Sequence, residues 1–268
     1  MVEPTGVYSI MARSHKFLSI CGVAGAALIA CATAAVADGY EYEGKAMAAP
    51  EEGRKFTYSF SLTGTSDYVF RGISQTENDP TIQGAFDIGY GIFYAGVWAS
   101  GVDFVEDVTL LDDTIEVDYY AGIKPTWHGA EFDFGVIYYW YPGDSADLFE
   151  LKAGVSGSLI DKLSTGATVY YNPNVNGDYG VYEGTVGYEF HEIRGITPSI
   201  DALIGYFDFY DNSAADYTYW NAGLALAVGN ITFDFRYWDT DASDLTCFGA
   251  ISSTCDERFV FTVGVSVP

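Results

Sequence analysis

Phe56-Thr57-Tyr58-Ser59-Phe60-Ser61-Leu62-Thr63 alternates strictly between a bulky apolar residue and a small polar one. A period of two marks a β-strand with chemically distinct faces, because successive side chains leave the backbone on opposite sides. The pattern recurs. Ile115, Val117, Tyr119, Ala121 and Ile123 alternate with Glu116, Asp118, Tyr120, Gly122 and Lys124. Phe132, Phe134, Val136, Tyr138 and Trp140 alternate with Glu131, Asp133 and Gly135. Ile231, Phe233, Phe235 and Tyr237 alternate with Thr232, Asp234, Arg236 and Trp238, and Phe259, Phe261, Val263, Val265 and Val267 with Arg258, Thr262, Gly264 and Ser266. Charges inside a strand, opposite bulky aromatics, are hard to place in the dry core of a sandwich. In a transmembrane barrel the apolar face meets lipid and the charged face meets the lumen.

About 12 such segments are present, each close to the ~9–11 residues that cross a bilayer at a tilt. They cover 56–70, 81–90, 92–103, 114–124, 130–141, 148–158, 162–171, 179–190, 196–208, 217–228, 231–239 and 257–267. Their connections alternate in kind. The even-numbered ones are short (Tyr90-Gly91, Pro125 to Gly129, Leu159 to Asp161, His191 to Gly195, Gly229-Asn230) and carry His128, His191 and Arg194. The odd-numbered ones are longer on average and acidic, with Glu77 and Asp79; Glu106, Asp107, Asp112 and Asp113; Asp144 and Asp147; Asn172 to Asp178; Asp211 and Asp216; and Asp241 to Asp256. Outer-membrane barrels have short periplasmic turns and longer outward loops, and an even strand count returns the C-terminus to the starting side. A soluble sandwich has no reason to sort its loops this way. The predicted fold is all-β, an up-and-down antiparallel transmembrane barrel filling residues 56–268.

Composition agrees. The 268 residues hold 22 Tyr, 18 Phe and 30 Gly, with 37 Asp plus Glu against 12 Lys plus Arg. A net charge of −25 excludes nucleic acid as a partner, since a phosphate backbone would be repelled. An apolar share of 49 % argues against an acidic disordered chain.

The first segment reads as targeting. Arg13, His15 and Lys16 form a basic n-region, Phe17 to about Ala30 an apolar h-region, and Ala35-Val36-Ala37 a small-x-small site that places cleavage between Ala37 and Asp38. Residues 1–37 are therefore expected to be a signal peptide, with translation starting at Met1 or Met11, and 38–55 a flexible periplasmic leader. Leu28-Ile29-Ala30-Cys31 also has the form of a lipoprotein processing site, so lipidation of Cys31 stays open beside ordinary cleavage. Export leaves Cys247 and Cys255, eight positions apart in one polar loop, where an oxidising compartment favours a disulfide over a metal pair.

No catalytic constellation stands out. Beyond the leader the chain has His128 and His191 only, without a nucleophile-elbow, Walker or H-E-x-x-H motif. No enzyme activity, cofactor or metal site is expected. The informative residues are those in the polar register: Asp67, Arg71, Asp87, Glu116, Asp118, Lys124, Glu131, Asp133, Glu150, Lys152, Glu183, Asp201, Asp234 and Arg236 are the candidate pore-lining side chains. Carboxylates exceed cations there by ten to four, which enriches cations in a narrow aqueous pore. Arg71 shares the register of Asp67, four residues earlier, so an ion pair anchoring the first loop is expected, with Gly72 permitting the turn; a constriction charge that orients a solute is the alternative.

Thr65-Ser66-Asp67-Tyr68-Val69-Phe70-Arg71-Gly72-Ile73-Ser74-Gln75 resembles the opening motif of the TorF-family porins, a bacterial family formerly of unknown function. Phe93-Tyr94-Ala95-Gly96-Val97-Trp98-Ala99-Ser100 and Ile115-Glu116-Val117-Asp118-Tyr119-Tyr120-Ala121-Gly122 resemble its next two segments. The resemblance runs from Phe56 to the end and implies an outer-membrane barrel. The chain departs from many such barrels in ending Ser266-Val267-Pro268 rather than on an aromatic residue.

Together these readings give an outer-membrane porin of a Gram-negative bacterium, passing small solutes passively with a preference for cations. The expected partners are outer-membrane lipid and lipopolysaccharide, the barrel assembly machinery, and small solutes or cations; the acidic loops read as soluble surface, with bridging to lipopolysaccharide by divalent cations as the alternative. The alternative is a non-conducting adhesion or envelope-structural barrel acting through its acidic loops. Whether the lumen is open or filled, and whether the barrel is monomeric, the sequence leaves undecided.

Overall fold

The computed structural model describes residues 56–103, 114–143, 147–173, 179–210, 212–243, 246–247 and 252–268. The expected signal peptide, the expected Ala37–Asp38 cleavage site, Cys31, the expected leader and the acidic positions Glu106, Asp107, Asp112, Asp113, Asp144, Asp178, Asp211 and Asp244 lie outside them.

Twelve antiparallel strands close into a barrel. In ring order they are β1 (Phe56–Thr65), β4 (Thr81–Tyr90), β5 (Phe93–Gly101), β6 (Ile115–Ile123), β8 (Ala130–Trp140), β9 (Leu148–Ile160), β10 (Leu163–Asn172), β11 (Tyr179–Glu189), β12 (Thr197–Phe209), β13 (Tyr217–Val228), β14 (Ile231–Thr240) and β15 (Arg258–Val267). Closure is the β15–β1 seam, with Thr65 opposite Thr262 and Phe60 opposite Val267. It removes the open edges that a sheet of this length would otherwise present to other chains. A two-residue β7 (Thr126–Trp127) extends the turn before β8.

The expected strands are found, with bounds differing by a few residues except at the first. The two faces are as the alternation requires. Along β1 the residues Phe56, Tyr58, Phe60 and Leu62 point outward and are exposed, while Thr63 and Thr65 are buried. Exposed apolar side chains recur around the ring, among them Ile82, Phe134, Ile204, Phe235 and Phe259. A continuous apolar outer surface is stable only against lipid. No helix among the described residues is long and apolar enough to cross a membrane.

One end carries tight turns whose φ angles require glycine or tolerate a left-handed residue: His128-Gly129 at φ 50° and 84°, and Arg194-Gly195 at 55° and 83°. Two successive positive φ values make a type I′ turn, whose twist matches that of the flanking strands. The other end carries the longer connections.

The first long connection departs from expectation. β1 stops at Thr65 rather than continuing to residue 70, and the chain from Ser66 to Pro80 folds into the barrel. There β2 (Val69–Phe70) pairs with β3 (Ile73–Ser74) across the turn Arg71-Gly72, at φ 47° and 85°. The break is written in the burial: Asp67, Tyr68 and Val69 are buried in succession, which no half-exposed strand allows. Gly72 is obligatory at the tip. A Cβ there would lie 2.8 Å from Cβ of Tyr219 and 3.0 Å from Cβ of Thr240, besides the strain of its positive φ.

Candidate functional site

The lumen has two unlike halves. Towards the short-turn end its wall is built from small residues, including Ser59, Ser61, Ser156, Ser164, Gly166, Ser199 and Ala225, all partly exposed. Towards the long-loop end the inward side chains are large and buried, and the β2–β3 hairpin fills the space between them. Among the described residues the barrel is thus a cup, its inner wall most exposed at the short-turn end.

The hairpin is held at its tip and at its neck. At the tip, the Arg71 guanidinium donates to both oxygens of Glu150 on β9, at 2.8 and 2.9 Å, and both side chains are fully buried. Glu150 also accepts from the hydroxyls of Tyr179, at 2.6 Å, and Tyr139, at 3.0 Å. Arg71 lies over the rings of Phe70, Tyr170 and Phe207 at 4.7, 4.9 and 5.5 Å. At the neck, Asp67 accepts from the hydroxyls of Ser74, at 2.6 Å, and Thr76, at 2.9 Å, and from Arg258 on β15, at 2.9 Å. Arg258 donates in turn to Asn78 and to the carbonyls of Ser253 and Asp256 in the last loop. The expected Asp67–Arg71 pair is therefore replaced by two pairs with distant partners. The inward fold of the hairpin carries Arg71 across the lumen, where strand spacing no longer governs its neighbours.

Tyr68, between β1 and β2, donates to Glu116 at 3.1 Å. Burial pushes its phenol well above the usual range, with Glu116 and Asp118 adding to the effect, so it stays a donor. Asp118 lies near Glu116 and Glu150, so three carboxylates gather on this side of the lumen, with Glu150 the one paired to Arg71.

Lower in the barrel, Asp133 accepts from Tyr94 at 2.7 Å and pairs with Lys152 at 3.0 Å and Lys124 at 3.9 Å. Around the ring from it, Arg236 forks onto Asp201, at 2.5 and 2.8 Å, and reaches Asp234 at 3.1 Å and Asn221 at 2.6 Å. Glu183 accepts from Tyr219, and Asp87 from Tyr120 at 2.5 Å. Glu131 lies half-buried near Lys124. All fourteen candidate side chains from the sequence thus sit on the inner side of the barrel or in the hairpin inside it. They form separate clusters rather than one catalytic group. His128 and His191 are exposed in the turns at the open end. Cys247 and Cys255 form the expected disulfide, with Cα atoms 5.9 Å apart, in the loop that supplies two of the partners of Arg258.

Sequence reasoning missed the inward aromatics. Tyr94, Tyr120, Tyr139, Tyr170, Tyr179 and Tyr219 face the lumen and donate to its carboxylates or stack on its cations. Their parity was readable, since Tyr120 stands two after Asp118 and Tyr139 six after Asp133. Tyr120 already stands in the polar register, but the site candidates from the sequence are charged residues alone. A second signal was glycine: a Cβ on Gly205 would lie 2.2 Å from the Tyr219 ring, and one on Gly96 would lie 2.5 Å from the Tyr120 ring. Each ring lies flat along the wall over a neighbouring strand's glycine.

Comparison with solved structures finds porins that share this architecture. A KdgM porin superposes with a TM-score of 0.53 at 10 % identity, over 78 % of this chain and 98 % of that one. A NanC porin gives 0.52 at 12 % identity, over 78 % and 99 %. A KdgM porin in complex with disordered oligogalacturonate gives 0.52 at 9 % identity, over 79 % and 99 %. At such identities the likeness is one of fold. No curated protein matches the chain by sequence. A family model does, across residues 47–267 and so across the whole barrel, and the chain belongs to that family, Gcw_chp, described as bacterial protein of unknown function.

Proposed function

We propose that the chain is an outer-membrane channel for passive diffusion of small solutes, with a preference for cations. The observation that carries this reading is the charge state of the inner wall. Each of its cations is already bound to a carboxylate: Arg71 to Glu150, Lys124 and Lys152 to Asp133, Arg236 to Asp201 and Asp234, and Arg258 to Asp67. The inner wall holds more carboxylates than cations, and two of the carboxylates, Asp87 and Glu131, face the open half. Fixed negative charge on a narrow aqueous wall enriches cations and repels anions. Oligogalacturonate, found with one KdgM porin, is a polyanion. The excess here has the opposite sign to what would receive one, which supports a different solute class. The apolar belt and the sorting of short turns from long loops support an outer-membrane location, with the open end of the cup towards the periplasm.

A second reading has its own observation. The hairpin fills the loop-end half of the lumen, as in a non-conducting barrel. Single-channel recording in planar bilayers under a salt gradient separates the two. Discrete cation-selective steps are expected, and the double variant Asp87→Asn/Glu131→Gln should lower the cation-to-anion permeability ratio. An unchanged ratio refutes the acidic-wall argument; silence from folded, heat-modifiable protein refutes the channel.

A further inference from the structure

The surroundings of the Arg71 guanidinium are a complete organic-cation site. Glu150 offers both oxygens to the fork, and the hydroxyls of Tyr139 and Tyr179 hold that carboxylate in place. The rings of Tyr170 on β10 and Phe207 on β12 supply aromatic faces within 4.9 and 5.5 Å. A carboxylate paired with aromatic faces is the chemistry that recognises guanidinium and alkylammonium groups. All of these residues belong to the barrel wall, whereas Arg71 and Phe70 arrive on the hairpin. The wall niche therefore exists independently of the segment that now occupies it.

We propose that this niche is a binding station for small guanidinium and alkylammonium solutes, occupied in the closed barrel by the protein's own Arg71. A solute reaching it competes with Arg71 for Glu150, and the hairpin tip, deprived of its bidentate partner, leaves the wall. The hairpin is thus a tethered competitor, and the solute that suits the niche is the one that opens the path. Small inorganic cations lack the planar fork and the polarised C–H and N–H surface that aromatic faces favour, so they compete poorly. The inference rests on the channel reading only in placing the niche on a solute's route.

The test uses Arg71→Ala in the full barrel, folded in detergent, with methylguanidinium as the probe. Titration calorimetry should show saturable binding to this variant, tighter than to the wild-type barrel by roughly tenfold or more, since the competitor is gone. The probe should also restore the thermal stability that the variant loses, at concentrations where sodium at equal ionic strength does not. Arg71→Ala/Glu150→Gln should show neither effect. Equal binding by both variants, or binding by Arg71→Ala no tighter than by wild type, overturns the proposal. Should Arg71→Ala not refold, the wild-type barrel serves: saturable binding at higher probe concentration, weakened in Tyr170→Leu, is expected, and its absence overturns the proposal. A barrel that binds the probe but never conducts refutes the channel reading alone. One that conducts without binding refutes the niche alone.

Discussion

Glu150→Gln should release the hairpin while leaving the barrel closed. Glu150 is fully buried and accepts four hydrogen bonds, two from Arg71 and one each from Tyr139 and Tyr179. Glutamine keeps the shape, but it removes the charge and turns one acceptor into a donor facing other donors. Breaking a buried ion pair from one side costs about 3–5 kcal/mol, because the remaining ion is left buried without its partner. The aromatic contacts of Arg71 are present in both proteins and do not enter the difference. The cost falls on docking of the hairpin rather than on the wall, since the strands keep their ladders and Thr65 still pairs with Thr81. At ~1.4 kcal/mol per tenfold, the docked-to-undocked ratio should fall by roughly a hundred- to several-thousand-fold. Hydrogen exchange read by mass spectrometry reports it: peptides spanning 69–75 should lose protection by that factor, while peptides from β5 and β13 should not change. Unaltered protection of the hairpin would show that the pair does not hold it. Equal loss in hairpin and wall would show that Glu150 supports the barrel itself.

The remaining predictions concern the loops and the wall. Reduction of Cys247–Cys255, which closes a loop with a sequence separation of 8, removes a constraint worth about 2–3 kcal/mol on the chain-entropy account. It should shift gel mobility, free two thiols for blocking and loosen the carbonyls of Ser253 and Asp256 that Arg258 binds; thiols that label without reductant would refute the bond. Two glycines on opposite faces should respond oppositely to substitution. Gly205→Val drives a side chain into the Tyr219 ring and should destabilise the barrel by about 1–3 kcal/mol. Gly64→Ala meets nothing within 4 Å on the outer face and should be neutral or stabilising by up to about 1 kcal/mol, both read by heat-modifiability on gels.

The sequence determined which face of each strand meets lipid. Side-chain parity in a strand is local: once Phe56-Thr57-Tyr58-Ser59 alternates, the direction of every later residue to Thr65 follows, whatever the neighbouring strands do. The same locality made the tight turns legible at His128-Gly129 and Arg194-Gly195, where positive φ values need particular residues. A disulfide between cysteines eight apart was legible because the short loop leaves few other partners. The inward aromatics were legible by parity, as at Tyr120, but were given no role, because Tyr suits either face: its ring packs against lipid or wall, and its hydroxyl serves a carboxylate equally well. What only the tertiary structure decided is the path of residues 66–80 and the partners of the buried charges. Asp67 and Arg71 are four residues apart, yet they bind Arg258 and Glu150, at separations of 191 and 79 residues. Such pairings depend on barrel closure, which brings β15 beside β1 and sets β9 across the lumen. No local pattern encodes them, because the energy that selects them is the desolvation of ions inside a closed wall, and that wall exists only once all twelve strands have met.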